Sequence, residues 1–133
     1  MKWTHIIIHH SQSKDHDTLD WDNVRKWHLD NGWADIGYHY GIERIEGNYE
    51  VLKGRSLQLA GAHCKGMNKN GIGICLIGNY DIDFVDEKAY IKLAMLISDL
   101  RNIFKIPIEN VKLHSEYSTK TCPGKNFDIR RVI

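Results

Sequence analysis

Gly71-Ile72-Gly73-Ile74-Cys75-Leu76-Ile77-Gly78 alternates small with apolar residues and carries no charge. A run without a polar face reads as a central strand buried on both sides. Upstream, His5-Ile6-Ile7-Ile8-His9 is a second β-branched run, again suited to a buried strand. Tyr38–Ile45 and Tyr49–Lys53 are strand-like and are separated by Glu46-Gly47-Asn48, a hairpin signal. Downstream, Tyr90, Leu93, Ala94, Ile97, Leu100, Arg101 and Phe104 follow a 3.6-residue period, so Asp86–Lys105 is the longest helix, ended by Pro107. Asp17 and Thr18 are capping residues for a helix over Leu19–Asn31, with Gly32 as its stop. Ser56–Ala62 reads as a short helix, Val111–His114 as a short strand, and Phe127–Ile133 as a final helical turn or two. Strands and helices in this order predict an α/β fold: a central mixed β-sheet of about five strands with helices packed on both faces.

The chain has 133 residues, 42% hydrophobic and 26% charged, with no visible linker or repeat, so one domain spanning 1–133 is expected. Lys and Arg number 18 against 17 Asp and Glu, a net charge of +1. That balance offers no basic patch for nucleic acid or an anionic membrane. The N-terminal apolar run is too short for a signal sequence, and no stretch of about 18 apolar residues could span a bilayer. The expectation is a chain made in the cytoplasm without a signal peptide. The three cysteines, Cys64, Cys75 and Cys122, do not form a disulfide framework, although Cys64 and Cys75 could meet across a hairpin.

Eight histidines is a high count for this length. Catalytic zinc needs three protein ligands and an open position for water. His9 ends the first strand, His114 ends the late strand, and Cys122 lies in the loop beyond it, where Cys122-Pro123-Gly124 sets a turn. Strand ends and their loops are where a sheet can aim side chains into one cleft. Taken alone, a strand-end histidine is more often a packed or surface residue than a ligand, and a lone cysteine more often a small buried hydrophobe. Successive strand residues point to opposite faces, so His9 and His10 cannot both face one site. There is no H-E-x-x-H to supply a metalloprotease-type Glu base.

Four segments, in register over about residues 5–131, carry a resemblance. They are Ile8-His9-His10-Ser11; Trp27-His28 with Gly32-Trp33 and Asp35-Ile36-Gly37-Tyr38-His39-Tyr40; Ala60-Gly61-Ala62-His63 with Asn68, Gly71–Ile74 and Leu76-Ile77-Gly78-Asn79; and His114-Ser115-Glu116 with Lys120-Thr121-Cys122-Pro123-Gly124 and Phe127. The chain resembles the zinc-dependent N-acetylmuramoyl-L-alanine amidases of the phage T7 lysozyme and peptidoglycan-recognition-protein superfamily. It departs from the phage pattern at His10, where that pattern has Cys, and at Ser115, where it has a second His.

The resemblance implies an amidase-type fold and one zinc ion per chain held by His9, His114 and Cys122. It implies Tyr38 as a hydroxyl lining the site, Lys120 as the cation that steadies the oxyanion, and His63 as a substrate-binding residue in the groove. The implied reaction is hydrolysis of the amide between N-acetylmuramic acid and L-alanine in bacterial peptidoglycan. A phage or prophage endolysin is expected, monomeric, with no separate wall-binding domain and released through a separate holin. Read by themselves, Tyr38 serves equally as a packed strand tyrosine and Lys120 as a solvated loop lysine. The competing function is a catalytically silent muropeptide-binding or partner-regulating module. Binding-only relatives typically lose the cysteine, and this chain keeps it.

Overall fold

The computed structural model describes residues 2–13 and 21–133. Their elements, in chain order, are β1 (His5–His10), α1 (Trp21–Asp30), β2 (Tyr40–Ile45), β3 (Asn48–Lys53), β4 (Gly71–Leu76), α2 (Glu87–Phe104) and β5 (Val111–Leu113). The strands form one mixed sheet in the order β3-β2-β4-β1-β5. Only the β2–β3 hairpin is antiparallel. The expected five-stranded α/β architecture is therefore the observed one.

The reading of β4 as a doubly covered strand holds, since all six of its residues are buried. Its alternation sorts the two faces. Ile72, Ile74 and Leu76 join Ile6, Ile8 and Ile42 in the larger core, against Ala89, Tyr90, Leu93, Ile97 and Leu100 of α2. Burying each large apolar side chain of this kind contributes about 1.5–3 kcal/mol, which is what docks the helix. On the opposite face Gly71, Gly73 and Cys75 pair in register with His5, Ile7 and His9. Here the small residues leave room, and Trp21 and Val24 of α1 pack with Ile36, Cys75 and Ile77. The Trp21 ring lies directly on Gly41, where an added Cβ would stand 2.6 Å from a ring carbon.

The ends of α2 follow its sequence signals. Asp86 caps it by accepting from Lys88 N at 2.8 Å, and Lys105 closes it in the left-handed region at φ 55°. For α1, the buried Glu43 carboxylate accepts from Trp21 N at 2.9 Å. The expected caps at Asp17 and Thr18 lie outside the described residues.

One local expectation fails. Ser56–Ala62 is not helical but a series of turns. Arg55 contributes to this: its guanidinium donates to the Ala60 carbonyl within the segment and to those of Asp35 and Ile36 outside it, tying the segment to that turn. Phe127–Ile133 contributes one short 3₁₀ turn, Ile129–Arg131, started by Asp128, in line with the final turn expected there. All three cysteines are free, so Cys64 and Cys75 do not pair.

Candidate metal centre

The parallel pairing of β1 with both β4 and β5 builds the site. Ile8 stands opposite Leu113, so the next residues along, His9 and His114, fall side by side with ring centroids 4.5 Å apart. His114 opens a short 3₁₀ turn, and the Glu116 carboxylate accepts from Leu113 N at 2.7 Å to fix its start. The chain then loops out and returns. Ser115 N donates to Cys122 O at 2.8 Å, which brings the Cys122 turn back beside His114. His10 N donates to the Cys122 sulfur at 3.3 Å, and that sulfur lies 3.7 Å from His9 Nδ1.

One ligand atom from each of His9, His114 and Cys122 lies within 4.8 Å of the others. This is the spacing at which three donors can share one tetrahedral ion. His114 Nδ1 is buried and has no hydrogen-bond partner. A buried nitrogen lone pair without a partner is costly unless something fills its place, and a cation fits that need. The electrostatics agree. His9 is fully buried, and that burial, followed by the neighbouring His63 and His114, holds its pKa well below the ordinary value. Burial, then the Lys120 charge, lowers His114 in the same direction. Both imidazoles are therefore neutral, the form that ligates metal. Burial pushes the Cys122 thiol up to about 11, so a free thiol here is protonated, and a divalent cation would displace that proton. The donor set fits zinc.

A cleft of about 480 Å³ opens over these atoms, and His9, Tyr38, His63, His114, Lys120 and Cys122 all line it. The Tyr38 ring stands 5.0 Å from that of His9. Its phenol is held well above the ordinary tyrosine value, first by burial and then by Cys75 and Cys122, so it is a protonated donor. Lys120 is exposed at the rim. His63 lines the cleft with a ring edge, but both its nitrogens are engaged within the protein: Nδ1 meets His9 Nε2 at 2.8 Å and Nε2 meets Gly71 O at 2.8 Å. The cleft continues past Tyr38 and His63 into a groove bounded by His28, Trp33 and Asn68.

His10 faces away, as alternation requires, and its Nδ1 accepts from Tyr80 N at 3.1 Å. Two residues support the site: Asp81 escaped sequence reasoning, and Asn68 entered it only as part of the resemblance. Asp81 accepts from Thr121 Oγ1 and Lys125 N on either side of Cys122. Asn68 accepts from the backbone N–H groups of His63 and Cys64 with one side-chain oxygen. Asp81 carries no local signal, because it acts across a loop-to-loop contact that only folding creates, whereas Asn68 closes its own turn.

Known proteins share the sequence pattern and the fold of this chain. The family model described as N-acetylmuramoyl-L-alanine amidase matches residues 1–125. The endolysin of Escherichia phage T7 is 33% identical over 132 residues, covering 95% of this chain and 82% of the phage protein. Among solved structures, N-acetylmuramoyl-L-alanine amidase LysC from Clostridium intestinale URNW superposes with a TM-score of 0.86 at 28% identity, over 99% of this chain and 83% of that one. Bumblebee PGRP-SA superposes with a TM-score of 0.85 at 28% identity, over 98% and 80% of the two chains.

Proposed function

The chain belongs to the N-acetylmuramoyl-L-alanine amidase family and is a peptidoglycan amidase of the endolysin kind; we propose that it works with one zinc ion held by His9, His114 and Cys122. The observation that carries the metal assignment is the orphaned His114 Nδ1 beside His9 and Cys122. Bound there, zinc supplies a Lewis acid that polarises the scissile carbonyl and makes water a usable nucleophile near neutral pH.

The chain's own residues do the rest. Lys120 reaches over the cleft rim and donates to the carbonyl oxygen as negative charge develops on it. Tyr38, kept protonated by burial, orients the attacking water by hydrogen bonding from its hydroxyl. His63 offers the substrate a ring edge as part of the cleft wall, and the groove beside Trp33 and His28 continues from there as the place for a peptide stem. A complete ligand trio supports catalysis over a binding-only role.

Among the described residues no helix is long and apolar enough to cross a membrane. As a phage-type endolysin the chain acts on the wall after release from the cytoplasm where it is made, as a monomer of one domain, with a separate holin as the route.

The test is zinc content together with release of new L-alanine amino termini from purified sacculi. Expected are about one zinc per chain and chelator-sensitive release restored by zinc. A protein that binds sacculi and, zinc-loaded, releases nothing is a binding module instead.

A further inference from the structure

We infer that His63 is a positioning residue that sets the tautomer of His9 and so turns the bare Nδ1 of His9 toward the metal. The inference rests on the zinc assignment above.

A backbone carbonyl can only accept, so Gly71 O fixes the direction of the whole chain of bonds. His63 Nε2, 2.8 Å away, must carry the proton and donate to it. A neutral imidazole carries one N–H, and that of His63 is committed to Gly71 O, so its Nδ1 is a bare acceptor. The atom 2.8 Å from that Nδ1 is His9 Nε2, which must therefore be the protonated nitrogen of His9. A neutral imidazole has one N–H, which leaves His9 Nδ1 with its lone pair free. That is the nitrogen that lies 3.7 Å from the Cys122 sulfur. One carbonyl on β4 thus dictates, through two rings, which nitrogen of the first ligand is available.

The fold holds His63 to this task. Its backbone N–H donates to Asn68 Oδ1 at 2.8 Å. Its ring lies flat against the sheet where Gly73 has no side chain; a Cβ there would stand 2.6–2.8 Å from three ring atoms. The glycine alternation of β4 therefore serves the metal site as well as the core. Partners of this kind fix the orientation of a ligating imidazole and raise its basicity, and losing one typically costs 10–100-fold in metal affinity.

The experiment uses the full chain. In metal-free, ¹⁵N-labelled protein, long-range ¹H–¹⁵N correlations should show His9 and His63 both as the Nε2–H tautomer. Zinc affinity is then measured by chelator competition for wild type, His63→Leu and His63→Asn. Leucine keeps bulk but offers no acceptor; asparagine places an oxygen near the position of Nδ1. His63→Leu should bind zinc about 10–100-fold more weakly and show a mixed His9 tautomer, whereas His63→Asn should stay within a few-fold of wild type. A wild-type His9 protonated at Nδ1 overturns the inference, as does a folded His63→Leu that binds zinc normally. Should the leucine variant not fold, the wild-type spectrum and the asparagine variant still decide. A wild-type protein that takes up no zinc defeats the metal assignment instead, and the tautomer seen without metal answers separately.

Discussion

Asp81 and Thr121, forty positions apart, are joined by a hydrogen bond from the Thr121 hydroxyl to the Asp81 carboxylate at 2.7 Å. The other oxygen of Asp81 accepts from Lys125 N at 2.9 Å, so a single side chain grips the loop on both sides of Cys122. Asp81→Ala should weaken zinc binding by freeing that loop while the sheet stays folded, as seen by chelator competition and circular dichroism. These bonds lower the Asp81 pKa, the Thr121 hydroxyl most and the Lys125 amide next. A carboxyl whose folded pKa is depressed stabilises the fold above its unfolded pKa, and that contribution is lost as pH falls through the folded value. In urea melts the variant should be less stable than wild type at neutral pH, and the two should converge below the ordinary carboxylate range. A gap that persists unchanged in acid would exclude the carboxylate as its source.

Lys120 is exposed and lines the cleft. Lys120→Ala should therefore leave zinc content unchanged and reduce kcat by about 10²–10³-fold, the usual cost of one oxyanion donor. Full activity on sacculi would remove Lys120 from the mechanism.

Tyr38→Phe keeps the ring that packs beside His9 and removes only the hydroxyl. Folding and zinc binding should be close to wild type, with the loss confined to kcat rather than KM. A variant with unaltered kcat would leave Tyr38 as a packing residue.

Cobalt loaded in place of zinc reports directly on the third ligand. The wild-type protein should show a thiolate-to-cobalt charge-transfer band, absent from Cys122→Ala, because this sulfur lies among the ligand atoms. Persistence of the band in the variant would point to Cys75 or Cys64 as the sulfur donor.

Gly73→Ala and Gly47→Ala should separate the site from the scaffold. An alanine at 73 would drive into the His63 ring, costing about 1–3 kcal/mol of stability and weakening zinc binding together. Gly47 has open space around it but a φ of +80°, so alanine there should cost about 1–2 kcal/mol through the backbone alone and leave the metal untouched. Equal zinc affinities in the two variants would contradict the placement of His63.

Most of the frame was legible because it rests on periodicity. The glycine-apolar alternation of β4, the β-branched β1, the hairpin turn and the stripe of α2 each carry their own local signature. Facing was legible too: alternation separates His9 from His10, and the structure turns His10 to Tyr80 N. What could not be read depends on long-range polar contacts. Arg55 ties the Ala60 carbonyl to those of Asp35 and Ile36, a long-range contact that no local pattern in 56–62 announces. The sequence resemblance marked His63 as part of the groove, but nothing in its neighbours foretold that both ring nitrogens would be used internally.

The three-residue β5 lies at the edge of the sheet and leans on β1 alone. Its final turn carries His114, while His9 belongs to an interior strand, so an ion gripped by both would rivet the sheet's thinnest margin to its middle. Chelation should then loosen the chain from Val111 onward first, exposing its amides to exchange while the hairpin and the long helix stay shut.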